Sequence, residues 1–181
     1  MLTIRRAEKT DAEAITNLIN SAYRGESSRT GWTTEADLIE GLRTTAQEIA
    51  HLIQQAHICI LVGEIEQQVV ATICCERIQD DELLKAKLGM IAVKPNLQNQ
   101  GIGKQMIRAA EAHAFDLWSI KAYCMTVITA RESLIAFYHR QGYQATGLVK
   151  PFPYESDLWQ VKVEGLEFAY FEKPISQSTL A

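Results

Sequence analysis

Long hydrophobic runs are absent from this sequence of 181 residues. No apolar stretch approaches the roughly 20 residues that a membrane-spanning helix needs, so we expect no association with a membrane. The opening residues, Met1 to Arg6, also lack the apolar core of a signal peptide. Both absences predict a cytoplasmic protein.

A large excess of one charge is also absent. The chain has 18 Lys and Arg against 22 Asp and Glu, a formal net charge of −4. Proteins that bind nucleic acid through its phosphates need a basic surface, so this balance argues against such a partner. With 47% hydrophobic and 22% charged residues, the composition is that of one globular domain and excludes a disordered chain or a coiled coil.

Cysteine is scarce and shows no metal-binding pattern. The four cysteines are Cys59, Cys74, Cys75 and Cys124. They form no Cys-x-x-Cys pair with a histidine at zinc spacing, and all lie in apolar stretches. We therefore expect reduced thiols packed in the core and no bound metal.

The hydrophobic periodicity predicts the element order β-α-α-β-β-β-α-β-α-β-β. Strands are expected over 2–6, 58–62, 69–75, 85–93, 123–129, 143–148 and 166–173. Helices are expected over 11–24, 34–43, 45–55 and 101–117, and from a capping box at Thr129 and Glu132 through 141. This pattern predicts one α/β domain over residues 1–175, with a polar tail over 176–181.

A glycine-containing loop stands between a strand that ends at Pro95 and the helix over 101–117. Gly101 and Gly103 lie where that helix begins. The first N–H groups of a helix lack intrahelical acceptors and carry the positive end of the helix dipole. Glycines allow a phosphate to approach such donors, so the loop is a candidate pyrophosphate site.

Two common phosphate-binding loops are excluded by spacing. The dinucleotide-binding fingerprint requires glycine three residues after Gly103, where Met106 stands. The P-loop requires glycine at the position of Gln98 and Ser or Thr at that of Gln105. On these residues alone, an alternative stays open: the two glycines only shape a turn from strand to helix.

The segment from Met90 to Lys104 resembles the acetyl-CoA signature of the GNAT superfamily of N-acetyltransferases. The resemblance consists of an apolar strand that ends in Val-x-Pro, followed by Gln98, Gly101 and Gly103 at the family's spacing. A later helix with Ala-Phe-Tyr at 136–138, followed by Gln-Gly-Tyr at 141–143, is also similar to the family. The resemblance covers most of the chain and implies a single-domain α/β fold, with a mixed, mostly antiparallel sheet flanked by helices on both faces.

The same resemblance implies acetyl-CoA as co-substrate and a set of residues to hold it. The strand residues Ile91, Ala92 and Val93 would offer main-chain groups to pantetheine and the thioester, whether or not their side chains pack in the core. The residues expected around the pyrophosphate are Gln98, Asn99, Gln100, Gly101, Ile102, Gly103 and Lys104. Arg131 stands where the family often has a cofactor-binding asparagine, so we include it in this set.

For catalysis, the resemblance implies that Tyr138 protonates the departing thiolate. Thr126 stands where some members have a glutamate base, so no base is assigned by resemblance. Residues of a suitable type for this role are Glu35, Glu64, Glu76 and His139.

The acceptor is expected near the loop between the first two helices. Trp32 is a large aromatic residue in an otherwise polar segment, so it either walls the acceptor pocket or packs on its own helices. Glu35 is expected to pair with a cationic acceptor.

We therefore expect an N-acetyltransferase that moves an acetyl group to a primary amine of a small molecule by direct transfer in a ternary complex. A protein or peptide N-acetyltransferase, and a non-catalytic regulatory domain that binds acyl-CoA, are the alternatives. Association as a homodimer is compatible with the sequence.

Overall fold

The computed structural model describes residues 1–80, 82–153 and 156–175. The strands are β1 (Thr3–Arg6), β2 (Ile39–Gly41), β3 (Ile58–Ile65), β4 (Gln68–Asp80), β5 (Leu83–Val93), β6 (Ala122–Ile128), β7 (Gln144–Pro151), β8 (Trp159–Val161) and β9 (Glu167–Pro174). The helices are α1 (Ala12–Tyr23), α2 (Gly25–Ser28), α3 (Ala46–Ile53), α4 (Ile102–Trp118) and α5 (Glu132–Arg140). The tail predicted over 176–181 lies outside the described residues.

Seven of these strands form one sheet in the order β1-β3-β4-β5-β6-β9-β7. All neighbours are antiparallel except β5 and β6, which run parallel. Alternate residues of each strand face opposite sides, so β3 directs Cys59 and Leu61 to one core and Ile58 and Ile60 to the other. Helices α4 and α5 cover the first core and α1 and α3 the second. The predicted fold class, with helices on both faces, is confirmed.

Strands β3 and β4 form the predicted hairpin. Glu66 and Gln67 at its tip have φ values of 50° and 64°. Two consecutive residues with positive φ make a turn whose twist matches that of the paired strands. The hairpin leads into β4, which lies beside β5 at the centre of the sheet.

The helix predicted over 34–43 is wrong. The Thr34 hydroxyl accepts a hydrogen bond from the Ala36 N–H (3.2 Å), which forms a turn, and the chain then enters β2. This strand pairs with β8 in a separate two-stranded sheet, and Ile39 packs on Phe152 and Leu166. Tertiary packing outweighs the local helical preference here.

The capping box predicted at Thr129 and Glu132 is also wrong. Helix α5 begins two residues later than the predicted cap would place it, with Arg131 as the residue that precedes the helix. The predicted end is confirmed, because Gly142 has φ of 93° and directs the chain out of the helix. Among the described residues, no helix combines the length and apolar character that crossing a membrane requires.

Candidate functional site

Strands β5 and β6 separate at the centre of the large sheet. They pair only through Lys85–Lys87 and Ala122–Cys124, although both strands continue further. Opposite Thr72 and Cys74 of β4, strand β5 contains one residue more than its partner, and Met90 has φ of 48° there. An extra residue bends a strand, so β5 diverges from β6 and two cavities lie along the opening.

The first cavity has a volume of about 600 Å³ and is formed by the end of β5, the glycine loop and one side of α5. Gly101 precedes α4 with φ of 79°, and Asn99 has φ of 63°. A Cβ atom on Gly101 would meet nothing within 4 Å, so conformation and not crowding requires glycine there. A Cβ atom on Gly103 would make only ordinary contacts, at 3.8 Å from Val93 and 3.9 Å from Phe137.

The N-terminus of α4 offers uncapped N–H groups to this cavity. Gly101 has no side chain to cap the helix, and the first turn contains no acidic residue. The first intrahelical hydrogen bond is donated by Gln105 N–H to the Gly101 carbonyl (3.1 Å). The N–H groups of Ile102, Gly103 and Lys104 therefore remain available to an anion. The cations of Lys104 and Arg140 also line the cavity, which fits a ligand that carries phosphate.

Gln98 holds the loops around this cavity together. Its Oε1 accepts from the Trp32 N–H (2.9 Å), and its Nε2 donates to Thr33 Oγ1 (2.9 Å) and to the Val93 carbonyl (3.0 Å). A Cβ atom on Gly31 would lie 2.7 Å from Gln98 Oε1, so only glycine allows this close approach. The side chain of Gln98 therefore joins the Trp32 segment, the end of β5 and the glycine loop at the wall of this cavity.

The structure brings most of the predicted cofactor residues together. The residues from that set that line the first cavity are Ile91, Val93, Gln98, Asn99, Gly101, Ile102, Gly103 and Lys104. Ala92 instead packs in the core beneath α1, and Gln100 is exposed outside the lining. Arg131 lines the second cavity and not the first.

The second cavity has a volume of about 350 Å³ and lies between β5 and β6 on the other side of their opening. The end of α1 and the segment around Phe152 and Trp159 complete its wall. Ile91, Leu134 and Tyr138 line both cavities. The two cavities therefore meet at these three side chains.

Tyr138 is the side chain with acid–base chemistry at this junction. It is buried on α5, and its ring packs edge-on against Phe137 and Tyr143. Burial raises its pKa, and the nearby Arg131 guanidinium opposes that change only in part. Among the described residues, none forms a hydrogen bond with its hydroxyl group. The phenol therefore keeps its proton at neutral pH and has it free to donate.

A network of buried charges lies beside Tyr138. The two carboxylate oxygens of Glu35 accept separately from Arg24 Nη1 and from Arg131 Nη1 (2.7 Å). Arg131 also donates to the Thr33 carbonyl and lies over the Tyr23 ring, 5.7 Å from its centroid. The expectation that Glu35 pairs with a cationic acceptor needs revision, because two arginines of the protein already hold both its oxygens.

Trp32 lies in the wall of the first cavity and not in that of the second. Its indole packs edge-on against Phe137 at 5.6 Å between ring centroids, and its backbone N–H donates to Gln98 Oε1. This packing directs Trp32 to the glycine-loop side. The geometry therefore does not place it where the sequence led us to expect the acceptor.

Of the four residues considered as bases, Glu35 and Glu76 line the second cavity and the other two lie outside both cavities. Glu64 is ion-paired to Arg5 (2.5 Å) at the β1–β3 edge, and exposed His139 contacts the Tyr143 carbonyl (3.0 Å). Glu35 is held by arginines. Glu76 on β4 lines the second cavity, and no ion pair or hydrogen bond involves its side chain within the described ranges.

Sequence reasoning missed several residues of the second cavity, among them Tyr23, Arg24 and Arg43. The Tyr23 hydroxyl donates to the Ile91 carbonyl (2.5 Å), which fixes the strand at the junction. The only local signal was that Tyr23 continues the apolar face of α1. No spacing pattern marks the two arginines, because the tertiary fold alone brings them to β5 and β6.

A family model for the acetyltransferase (GNAT) family matches residues 12–143. No protein among the curated sequences matches this chain.

Solved structures share the fold over nearly the whole chain. The ribosomal-protein-S18-alanine N-acetyltransferase from Escherichia coli superposes with a TM-score of 0.71 at 17% identity, covering 98% of this chain and 96% of its own. A GNAT-family acetyltransferase from Streptococcus pneumoniae gives a TM-score of 0.69 at 16% identity, with coverage of 97% and 100%. An N-acetyltransferase from Staphylococcus aureus Mu50 gives 0.70 at 12% identity, with coverage of 96% and 97%.

Proposed function

Because this chain belongs to the acetyltransferase (GNAT) family, we propose that it transfers an acetyl group from acetyl-CoA to a primary amine of a small molecule. Transfer is direct, in a ternary complex of enzyme and both substrates. We take residues 1–175 as the catalytic domain.

The observation that supports this proposal most directly is that the two cavities meet. Direct transfer requires that the thioester and the amine reach one point from separate binding sites. The first cavity offers uncapped helix N–H groups for a pyrophosphate, and the second is of a size for a small molecule. Both end at Ile91, Leu134 and Tyr138, where the acetyl group would be exchanged.

In this proposal, the first cavity holds acetyl-CoA, which supplies an activated acetyl thioester. The N–H groups of Gly103 and Lys104 bind its pyrophosphate, and Lys104 adds a positive charge. The main chain of Ile91 and Val93 contacts the pantetheine. Trp32 and Phe137 form an aromatic wall that excludes water from the thioester.

The remaining steps move two protons. The amine nitrogen attacks the thioester carbonyl, a C–N bond forms and the C–S bond breaks. Tyr138 donates its phenolic proton to the departing sulfur, which leaves as the thiol. Glu76, directly or through water, accepts the proton that the amine loses. The same proton then returns to the Tyr138 phenolate, which restores both side chains for the next turnover.

A thiol-release assay tests the proposal. The protein is mixed with acetyl-CoA and a panel of small amines, amino acids, amino sugars, polyamines and short peptides, and free thiol is measured over time. Release that depends on a small amine supports the proposal. Release with peptides alone would favour a peptide N-acetyltransferase, and binding of acetyl-CoA without release for any amine would favour a regulatory domain.

A further inference from the structure

The second cavity carries an excess of positive charge in an acidic protein. Its described lining contains four cationic side chains, those of Arg24, Arg43, Lys87 and Arg131, and two carboxylates. The whole chain has a net charge of −4, so this excess is a local property of the cavity. A cavity of this sign attracts anions and repels cations.

Part of this excess is buried. The side chains of Arg24, Arg131 and Glu35 expose only 4%, 8% and 8% of their surface. Two guanidinium groups thus share one carboxylate, and Arg24 Nε is buried without a hydrogen-bond partner in the described part of the chain. An unbalanced buried charge is costly unless it is paired. An anionic group of a ligand would supply the missing charge.

Arg43 adds a cation that is free to bind a ligand. Its backbone N–H donates to Asn20 Oδ1 (2.7 Å), and this hydrogen bond fixes the position of the Arg43 main chain. No hydrogen bond or ion pair involves its guanidinium within residues 1–80, 82–153 and 156–175. Arg43 and Arg131 line the same cavity as Tyr23 and Ile91, and the Tyr23 hydroxyl lies 2.5 Å from the Ile91 carbonyl. The cations therefore lie close to the junction where transfer occurs.

The rest of the lining is largely apolar. Met90, Met125, Val127, Phe152 and Phe168 contribute to the wall. The volume of about 350 Å³ lies at the small end of the range for ligand pockets. An acceptor that fits has a short anionic part next to its amine and an apolar remainder.

We propose that the acceptor is an amino carboxylate, an α-amino acid or close analogue with an apolar side chain, whose carboxylate is bound by Arg43 and the Arg24–Glu35–Arg131 cluster. This inference rests on the proposed function and names the substrate class of the same site. Carboxylates bind arginine through charge-assisted hydrogen bonds. The same cations disfavour an ammonium ion, so they promote the neutral amine that attacks.

The first experiment compares acceptors that differ only at the carboxylate. Thiol release from acetyl-CoA is measured with L-leucine, L-leucinamide and 3-methylbutan-1-amine, and with spermidine as a polycation. We expect kcat/KM for leucine to exceed that for 3-methylbutan-1-amine by about 10- to 100-fold, as for loss of a charged hydrogen-bond partner. The amide is the stringent control, because its less basic amino group is more often neutral.

The second experiment tests the arginine that has no partner. We expect Arg43→Gln to lower the ratio of kcat/KM for leucine to kcat/KM for 3-methylbutan-1-amine by at least about tenfold. Continued turnover of 3-methylbutan-1-amine shows that the variant is folded. Arg43→Lys should retain part of the preference. Arg108→Gln, at an exposed arginine on α4 outside both cavities, should behave as the wild type.

A binding measurement tests this inference independently of the proposed function. Calorimetric titration of leucine into the wild type and Arg43→Gln, each saturated with CoA, requires no turnover. Leucine binding that Arg43→Gln weakens supports the assignment of a carboxylate site to this cavity even if no amine is acetylated. Equal or better turnover of 3-methylbutan-1-amine or spermidine than of leucine would overturn it and leave an N-acetyltransferase of another specificity.

Discussion

The hydroxyl group of Tyr138 connects the two halves of the proposed reaction. Its side chain lines both cavities and packs between Phe137 and Tyr143, so its position is fixed by the ring and not by a hydrogen bond. Burial raises its pKa. The phenol therefore has a proton to give throughout the neutral range and cannot act as a base there, while its raised pKa makes it a weaker acid than free tyrosine.

Tyr138→Phe should therefore lower kcat by about 10²- to 10⁴-fold, the range for a positioned acid, with little change in the Kd of acetyl-CoA. Because the pKa is raised above that of free tyrosine, kcat of the wild type should not fall through ionisation of Tyr138 below about pH 10. Stopped-flow measurement of thiol release tests both points. Tyr170→Phe, outside both cavities, is the control. A kcat for Tyr138→Phe within about threefold of the wild type, with chemistry rate-limiting, would show that Tyr138 only packs.

Glu76 is the carboxylate of the second cavity that the arginines leave free. Glu76→Gln keeps the shape of the side chain and removes its ability to accept a proton. We expect kcat/KM at pH 7 to fall by about 10²-fold or more, and to recover as pH rises and more of the amine is neutral. Glu167→Gln, at an exposed position on β9, is the matched control. A pH–rate profile for Glu76→Gln that superposes on that of the wild type would exclude Glu76 as the base.

Single residues were harder to assign from the sequence than the cavities they line. Arg131 was expected beside the cofactor, and the structure shows it ion-paired to Glu35 in the second cavity. Trp32 was expected beside the acceptor, and it packs on Phe137 in the first cavity. These roles depend on contacts between segments about 100 residues apart, which local spacing does not contain.

At the scale of elements, the sequence predicted the helices and strands that are determined by local residue patterns, and missed those that depend on tertiary contacts. Helix α4 was expected over 101–117 and spans Ile102–Trp118, because its apolar repeat and its glycines are local signals. Strands β2 and β8 have only three residues each, too few to show alternation. Their pairing depends on the cluster around Ile39 and Phe152, which exists only in the folded chain.

The N-terminus of α4 gives a prediction at this scale. Gly103 is not among the residues with positive φ, and a Cβ atom there makes ordinary contacts, so Gly103→Glu should fold. Its carboxylate would occupy the anion site and repel phosphate. At about 100 times the Kd, a ligand stabilises the wild type by about 2.7 kcal/mol, a rise in Tm of several degrees.

We expect acetyl-CoA to produce that rise with the wild type and with Gly103→Ala, and to produce none with Gly103→Glu. Differential scanning fluorimetry measures all three proteins. An equal rise for Gly103→Glu would mean that the cofactor does not use this helix terminus.

At the scale of the whole molecule, buried thiols and phenols link stability to pH. Burial raises the pKa of Cys74 to about 12 and that of Tyr123 to about 12. It raises the pKa of Cys124 to about 11, and those of Cys75 and Tyr143 also rise on burial. Cys75, Tyr123 and Tyr143 lie in the core on one face of the sheet, Cys74 lies in the core on the other face, and Cys124 is half-buried. Their effect is therefore a property of the fold and not of one site.

The sign of this effect follows from which state holds the protons. Below about pH 8.5, the thiols are protonated in the folded and the unfolded chain, and stability is unaffected. Above that value the unfolded thiols ionise, and above about pH 10 the unfolded phenols do so as well, while the folded groups keep their protons. Each such group lowers the free energy of unfolding by about 1.4 kcal/mol per pH unit until its folded pKa is reached.

We therefore expect the free energy of unfolding to be constant from about pH 7 to 8.5 and to fall with increasing slope to about pH 11. Urea unfolding under reducing conditions, followed by tryptophan fluorescence, measures the profile. Cys74→Ala removes one linked group and should flatten the slope between about pH 9 and 11, even though the cavity it leaves lowers stability at every pH. Cys124 is less deeply buried than Cys74, so Cys124→Ser should flatten the slope with a smaller loss at neutral pH. Stability that stays constant to about pH 11 in the wild type would contradict the linkage, because the unfolded thiols must ionise in that range.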